Sequence, residues 1–535
     1  MGTVPAGGPT PDANQVSAGA SVPAATPVPA GVVIGVDIGT TATKSVAYDL
    51  AGRPSAIHAV SYPLDEPVPG YAEQDPEVIV AAVLQTVREV AAQTAGPVLA
   101  LSFSTAMHSL LGLDAAGRPI TASLTWADSR AAPQADRVRA APGAVALYRR
   151  TGTPVHPMSP LTKLAWFAEN RPDLCARAAH WVGIKEFVVQ QLCGELLTDH
   201  SVASGTGLLD LHRLDWDPEA LAIAGVRAEQ LPALLPTTAF VPGGLGPAAA
   251  TTTGVPVHTP VVLGAGDGPL ANLGLGAVRP GVAACSIGTS GALRVLVDRP
   301  TVAPDGGVFC YALTADRWVV GGAVDNGGIV LGWLGDALAP DLGPHPEESL
   351  LALAAAVPPG SGGLLMAPYL LGERAPQWGT VATGAYLGLT REHRREHLVR
   401  AALEGVCLQL ALVLDSMRAA GLQVSQVRAT GGFARSPFWR QLLADVLDTD
   451  IGFPASHEGS SLGAALLAMS ALGLVPSLDV AADLVEVTDT VSPDPGAAAV
   501  YRSLRPVFAE LYGALLPTWN ALRSLAPTLP LRLPA

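Results

Sequence analysis

A chain of 535 residues exceeds what one hydrophobic core holds, and 49% hydrophobic against 15% charged residues supplies apolar surface for two domains. A formal net charge of -14 argues against a nucleic-acid partner, which needs a basic face, and no uninterrupted apolar run approaches the ~20 residues of a membrane span. The cysteines Cys175, Cys193, Cys285, Cys310 and Cys407 lack C-x-x-C spacing, so neither a zinc site nor a disulfide framework is suggested and a reduced cytoplasm fits.

Residues 1–30 are rich in Pro, Ala and Gly and contain no Lys or Arg. They lack the charged start of a signal peptide and the arginines of a transit peptide, which predicts a disordered extension. From Val32 to Asp49 the chain reads as a buried strand, a Gly-Thr-Thr turn and a second strand. Asp37 ends the first strand, where turn amides face an anion, so the stretch suits a metal and a phosphate chain. The sequence leaves Lys44 open between a phosphate contact and a solvated strand lysine.

Asp75 and Pro76 predict the N-cap and first residue of an amphipathic helix reaching about Ala95. A buried strand over Val98–Ser104 runs into Thr105-Ala106-Met107-His108, and helical patterns fill much of 131–235 around the Pro-rich segment Gly152–Pro160. Val261–Gly264 is another strand, ending in a Gly-rich turn that carries Asp267. Flanked by glycines, Asp267 suits a base that approaches an acceptor hydroxyl, although an aspartate in such a turn is commonly structural.

Cys285–Asp298 aligns with Val36–Asp49 without a gap: Ile-Gly-Thr, a later Val and the closing Asp coincide. A strand, phosphate turn and strand used twice suggests two similar domains facing one ligand. Asp37 is matched by Ser286, so the cation belongs to the first copy. Downstream, a helix is expected over about Arg391–Ala419, a strand over Val424–Thr430, and a turn at Gly431–Arg435 before a helix capped by Ser436. Two motifs are rejected: Thr43 stands where a P-loop needs glycine, and the His393-Arg394-Arg395-Glu396-His397 pattern lacks a wider set of zinc ligands.

Met158–Trp166, and the span from Gly384–Leu389 through His397-Leu398 to Ala401–Glu404, resemble the two signatures of the FGGY carbohydrate kinase family, and the likeness extends over about Gly31–Leu515. The segments Ser104–Ser109, Thr125–Arg130, Gly152–Pro160 and Asp199–Gly207 resemble gluconokinases most closely, with xylulokinases as the neighbouring alternative. The resemblance implies an α/β protein of two actin-like (ribonuclease H-like) ATPase domains around a nucleotide cleft. Residues 31–278 would form the N-terminal domain, 279–515 the C-terminal domain and 516–535 a tail, with a hinge near 270–285.

The implied reaction transfers phosphate from ATP, with Mg2+, to D-gluconate. Asp267 would be the general base and Asp37 would organise the metal. Gly39, Thr40, Thr41, Lys44, Gly288, Thr289, Gly322, Asn326, Gly431, Gly432 and Ser436 would line the nucleotide. Met107, His108, Asp128, Arg130 and His156 would surround the sugar acid. For its carboxylate the candidates are His108, His156, Lys163 and Lys185, His156 first. A cytoplasmic enzyme with small-molecule partners only is expected, and a homodimer is left open. A catalytically silent sensor on this fold would not need both Asp37 and Asp267.

Overall fold

The computed structural model describes residues 31–455 and 459–525. The predicted extension at 1–30 and the end of the predicted tail at 526–535 lie outside the described residues. Two sheets organise the rest. The first comprises β1 (Val32–Ile38), β2 (Ala42–Tyr48), β3 (Pro54–Ser61), β4 (Val98–Thr105) and β5 (Val261–Gly266), in the order β5-β4-β1-β2-β3. β1 runs antiparallel to β2 and parallel to β4, which in turn runs parallel to β5.

The second sheet comprises β6 (Val282–Ile287), β7 (Gly291–Val297), β8 (Phe309–Ala312), β9 (Trp318–Val324), β10 (Gln426–Thr430), β11 (Ile451–Pro454) and β12 (Val487–Val491), in the order β8-β9-β7-β6-β10-β11-β12. Its central run β11-β10-β6-β7-β9 repeats the order and directions of the first sheet. The duplication read from two short turns is therefore a duplication of topology.

The gapless alignment needs one correction. In the first hairpin the last pair is Ile38↔Thr43, but in the second it is Ile287↔Gly291, so the second turn is one residue shorter. Lys44, which pairs with Asp37, thus corresponds to Ala292, which pairs with Ser286.

The alternation of β1 explains how the site is built. Val32, Ile34, Val36 and Ile38 pack into a core with Ile79, Val83 and Val87 of α1 (Pro76–Gln93), a helix capped as expected by Asp75. Val33, Gly35 and Asp37 face the other way. On that face lies α5 (Gly459–Ala471), packed against α2 (Asp267–Gly274), while α3 (Arg395–Ala419) and α4 (Pro437–Leu447) pack on the second sheet. The first turn of α5 lies on β1 so closely that a Cβ at Gly35 would stand 2.1 Å from the Ser461 carbonyl oxygen. Tyr48 and Ser461 hydroxyls then hydrogen-bond at 2.8 Å. Only a glycine admits this contact, and it carries a C-terminal-half helix across the N-terminal sheet to end beside Asp37.

α3 is long and apolar enough to be mistaken for a membrane span, but it is the core helix beneath the second sheet, with Leu403, Cys407 and Leu410 wholly buried. The final helix, Pro495–Leu525, runs through the position where a tail was expected to begin.

Candidate active site

The two sheets present their central strands to one cleft, which encloses about 200 Å³ and is lined by Asp37, Lys44, Asp267, Ser286, Arg294 and Ser460 among others. Asp37 and Lys44 lie opposite one another in register and so share a face. Ser104 at the end of β4 donates to Asp37 Oδ1 at 2.7 Å, fixing the carboxylate. Asp267 is the first residue of α2 rather than the tip of a loop, and its Oδ1 accepts from the Gly268 amide at 2.7 Å. Burial, with the neighbouring charge of Asp37, lifts its carboxyl from 3.8 to about 6, against the opposing pull of Arg294.

The first turn is braced rather than loose. Trp126 donates its indole N–H to Thr40 Oγ1 at 2.8 Å, Gln74 donates to the Thr40 carbonyl at 2.6 Å, and Tyr62 donates to the Gly39 carbonyl at 2.6 Å. Thr41 is exposed at its tip. The second turn is held by Gly327 and Gly328, whose amides donate to the Thr289 and Gly288 carbonyls at 3.0 and 2.6 Å. Gly431 approaches β6 so closely that a Cβ would stand 2.2 Å from the Ile287 carbonyl oxygen, while Gly432 faces open space.

Three of the expected nucleotide positions have structural duties. A Cβ at Gly322 would meet Ala375 and Val413, so it is a packing glycine on β9. The Asn326 side chain clamps a loop, accepting from the Leu370 and Leu371 amides and donating to the Gly372 carbonyl. Ser436 caps α4 by accepting from the Trp439 amide at 3.2 Å.

On the sugar side, Met107 packs against Gly266, and His108 takes a left-handed backbone at φ 69°. His108 Nδ1 lies 2.8 Å from the Gly205 carbonyl, so Nδ1 carries the proton and Nε2 is left to accept. His156 Nδ1 accepts from the Met158 amide at 3.3 Å, leaving Nε2–H to donate. Burial holds both rings neutral, His108 at about 3 and His156 well below 6.5, helped by the charges of Lys163 and of Arg374 respectively. Asp128 and Arg130 are brought together, but as an ion pair at 2.7 Å whose guanidinium lies 3.6 Å over the Tyr71 ring. Lys163 donates to the His108 and Thr125 carbonyls, both at 2.7 Å, and Lys185 pairs with Asp199, so both ammonium groups have partners within the first half of the chain.

Residues of the second half that the sequence did not single out stand beside the two histidines. Tyr311 and Trp378 rings stand 5.8 Å from His108 and 6.1 Å from His156, and their buried Oη and Nε1 have no partner among the described residues. The Arg374 guanidinium stacks 4.7 Å over Trp126 and pairs through Nε with Asp325 at 2.6 Å, and its charge acts on His108, His156 and Asp267. Asp325 counts as an ion-pair partner on distance even though the angle is poor for a hydrogen bond. Beside it, burial and the Asp325 charge push Glu373 toward its neutral form. Arg374 follows a Gly-Glu pair in a loop, a context with no local signal of chemistry.

Two sheets of one topology, with two carboxylates, a lysine and an arginine gathered in the cleft between them, are the architecture of a phosphotransferase of the actin-like ATPase fold. The chain belongs to the FGGY family of carbohydrate kinases, whose N-terminal domain matches residues 32–274 and C-terminal domain residues 283–472, and it is an ATP-dependent sugar kinase. It is 42% identical over 488 residues to the gluconokinase of Bacillus subtilis (strain 168), covering 90% of this chain and 95% of that one. Two Lactobacillus acidophilus structures, a ligand-bound xylulose kinase and a gluconate kinase, superpose with TM-scores of 0.88 and 0.87. Each is 36% identical and covers 92% of this chain and 100% of its own.

Proposed function

We propose that this kinase phosphorylates D-gluconate on its 6-hydroxyl, giving 6-phospho-D-gluconate and ADP in a reduced cytoplasm. The observation that carries this reading is the 42% identity to the Bacillus subtilis gluconokinase across both halves, against 30% to the xylulose kinase of the same organism. The sugar side supports it. A polyol acid needs hydroxyl donors and acceptors along its length and one cation at its end. His108 Nε2 supplies an acceptor, His156 Nε2–H, Tyr311 and Trp378 supply donors, and Arg374, whose charge acts on both histidines, supplies a cation on this side.

Asp267 takes the proton of the attacking hydroxyl. A carboxylate near 6 is ionised at neutral pH yet basic enough to accept that proton. Thr40, held by Trp126, and Lys44 meet the terminal phosphates from one wall, and Gly288, Thr289 and Gly432 line the nucleotide from the other. The donor set fits Mg2+, which prefers few protein carboxylates: Asp37, fixed by Ser104, would hold it. When bound, the ion neutralises phosphate charge. The domains divide near residue 278, with Asp267 and α2 just before the boundary.

Coupled ADP-release assays on D-gluconate, D-xylulose, L-ribulose and glycerol test the acceptor. D-gluconate should give the highest kcat/KM; strong turnover of D-xylulose with none of D-gluconate would overturn the assignment. Asp37→Ala should damage Mg2+-dependent phosphate transfer and raise the Mg2+ concentration needed for half-maximal rate, and an unchanged Mg2+ dependence would remove Asp37 as the metal residue.

A further inference from the structure

Arg294 stands in the cleft without an assigned role. It lies on β7 opposite Ala284, two residues from Ala292, which pairs with Ser286, so strand alternation turns it onto the face that Ser286 presents to the cleft. It is 8% exposed. Its Nη2 donates to the neutral Ser286 hydroxyl at 3.0 Å, its Nε is buried without a partner, and it forms no ion pair among the described residues. A Cβ at Gly268 would stand 3.1 Å from Nη1, so the glycine after the base leaves room for this guanidinium beside Asp267.

A buried guanidinium that makes no ion pair, with Asp267 nearby but not in contact distance of a salt bridge, is costly to maintain unless an anion joins it during function. Two substrate anions enter this cleft, the terminal phosphate of ATP and the acceptor's carboxylate. The carboxylate of a six-carbon acid lies at the far end from the 6-hydroxyl that meets Asp267. Arg294 borders Asp267 itself, with Lys44 and Asp37 in the same cleft, which selects the phosphate.

We propose that Arg294 is a catalytic residue that binds the phosphoryl group in flight, donating N–H bonds to its non-bridging oxygens. As the acceptor oxygen bonds to the γ-phosphorus, the bond from that phosphorus to the β,γ-bridging oxygen breaks, Asp267 takes the hydroxyl proton, and ADP leaves. Arg294 meets charge that spreads over the equatorial oxygens, a duty supplied from the second half of the chain to a base in the first. The inference rests on phosphoryl transfer alone, whichever acceptor the enzyme uses.

The test uses Arg294→Gln and Arg294→Lys in the full chain, with the acceptor that wild type turns over best. Arg294→Gln should lower kcat about 100-fold or more while the acceptor KM stays within about threefold. Slow ATP hydrolysis without acceptor should fall in parallel, ADP affinity should persist, and Arg294→Lys should recover about tenfold of the loss. Should Arg294→Gln fail to fold, the Lys variant carries the test through the same split between kcat and KM. An unchanged kcat, or a loss confined to the KM of an acid acceptor with acceptor-free hydrolysis intact, would overturn the proposal. Failure of D-gluconate as a substrate would leave these comparisons readable on another acceptor.

Discussion

Asp37 and Asp267 stand at the carboxyl ends of the parallel arrangement β1-β4-β5, and the charge of Asp37 adds to burial in lifting the Asp267 carboxyl to about 6. Two consequences separate. The pH profile of kcat/KM should show an acid limb with its midpoint near 6, because protonated Asp267 cannot accept the hydroxyl proton. An acid limb centred near 4 would mean that the base is ordinarily solvated.

The same shift makes Asp267 a stability cost. Its folded pKa exceeds the unfolded value of 3.8, so between that pH and about 6 the folded state binds more protons and stability falls as pH rises. Asp267→Asn should therefore raise the unfolding free energy at pH 8 by on the order of 1 to 3 kcal/mol, with little gain at pH 4. The variant should lose most of kcat while still binding nucleotide. Chemical denaturation at the two pH values checks the first expectation and ADP titration the second.

Trp126 serves two partners at once, the Thr40 hydroxyl through its N–H and Arg374 through its ring face. Trp126→Phe keeps the stacking surface and deletes the donor. A neutral hydrogen bond contributes about 1 kcal/mol, so a fall in kcat/KM for ATP of up to about tenfold is expected, with the sugar KM little changed. Trp126→Ala should damage both constants.

Arg374→Gln should raise the KM for D-gluconate about 10- to 100-fold, the range of a charge-assisted hydrogen bond, and affect a neutral polyol acceptor far less. Lys at 374 should not restore binding, since it neither stacks on Trp126 nor reaches Asp325 and a carboxylate together. Equal losses on acid and neutral acceptors would reduce Arg374 to a brace between Trp126 and Asp325.

What was legible in the sequence was local. The β1 pattern gave a strand with Asp37 at its end, Asp75 and Ser436 gave helix starts, and Ile-Gly-Thr used twice gave the duplicated sheet. What was not legible comes from segments that only folding brings together. Tyr311, Trp378 and Arg374 meet the histidines across more than 150 residues of chain, as the separation of His108 from Tyr311 shows. Ser460 and Ser461 reach the cleft because Gly35 admits a helix onto β1, a contact with no signature in either stretch. Charge alone did not choose among the candidates for the carboxylate, since the backbone carbonyls that receive the Lys163 ammonium and the Asp199 carboxylate that pairs with Lys185 are set by the fold.

Glu404, which closes the second family signature, belongs to the same lesson. Its carboxylate accepts from the Arg400 Nε at 2.8 Å, the Gly360 amide at 2.9 Å, the Ser361 hydroxyl at 2.8 Å and the Tyr501 hydroxyl at 2.7 Å, and it is 1% exposed. It ties α3 to the turn before the Arg374 loop and to the final helix, and it is not among the residues that line the cleft with Asp37 and Asp267. Removing it strands the buried guanidinium of Arg400, which also donates to the Ala354 and Val357 carbonyls. Glu404→Ala should therefore destabilise the fold by about 3 to 5 kcal/mol. Glu404→Gln, which keeps the shape and loses the charge, should cost less. In either variant the enzyme that remains folded should keep its KM for ATP and acceptor, because the residue positions the scaffold and touches no substrate. Urea midpoints measured beside active-site titration separate the two effects, and a normal midpoint with a collapsed kcat would place Glu404 in the chemistry instead.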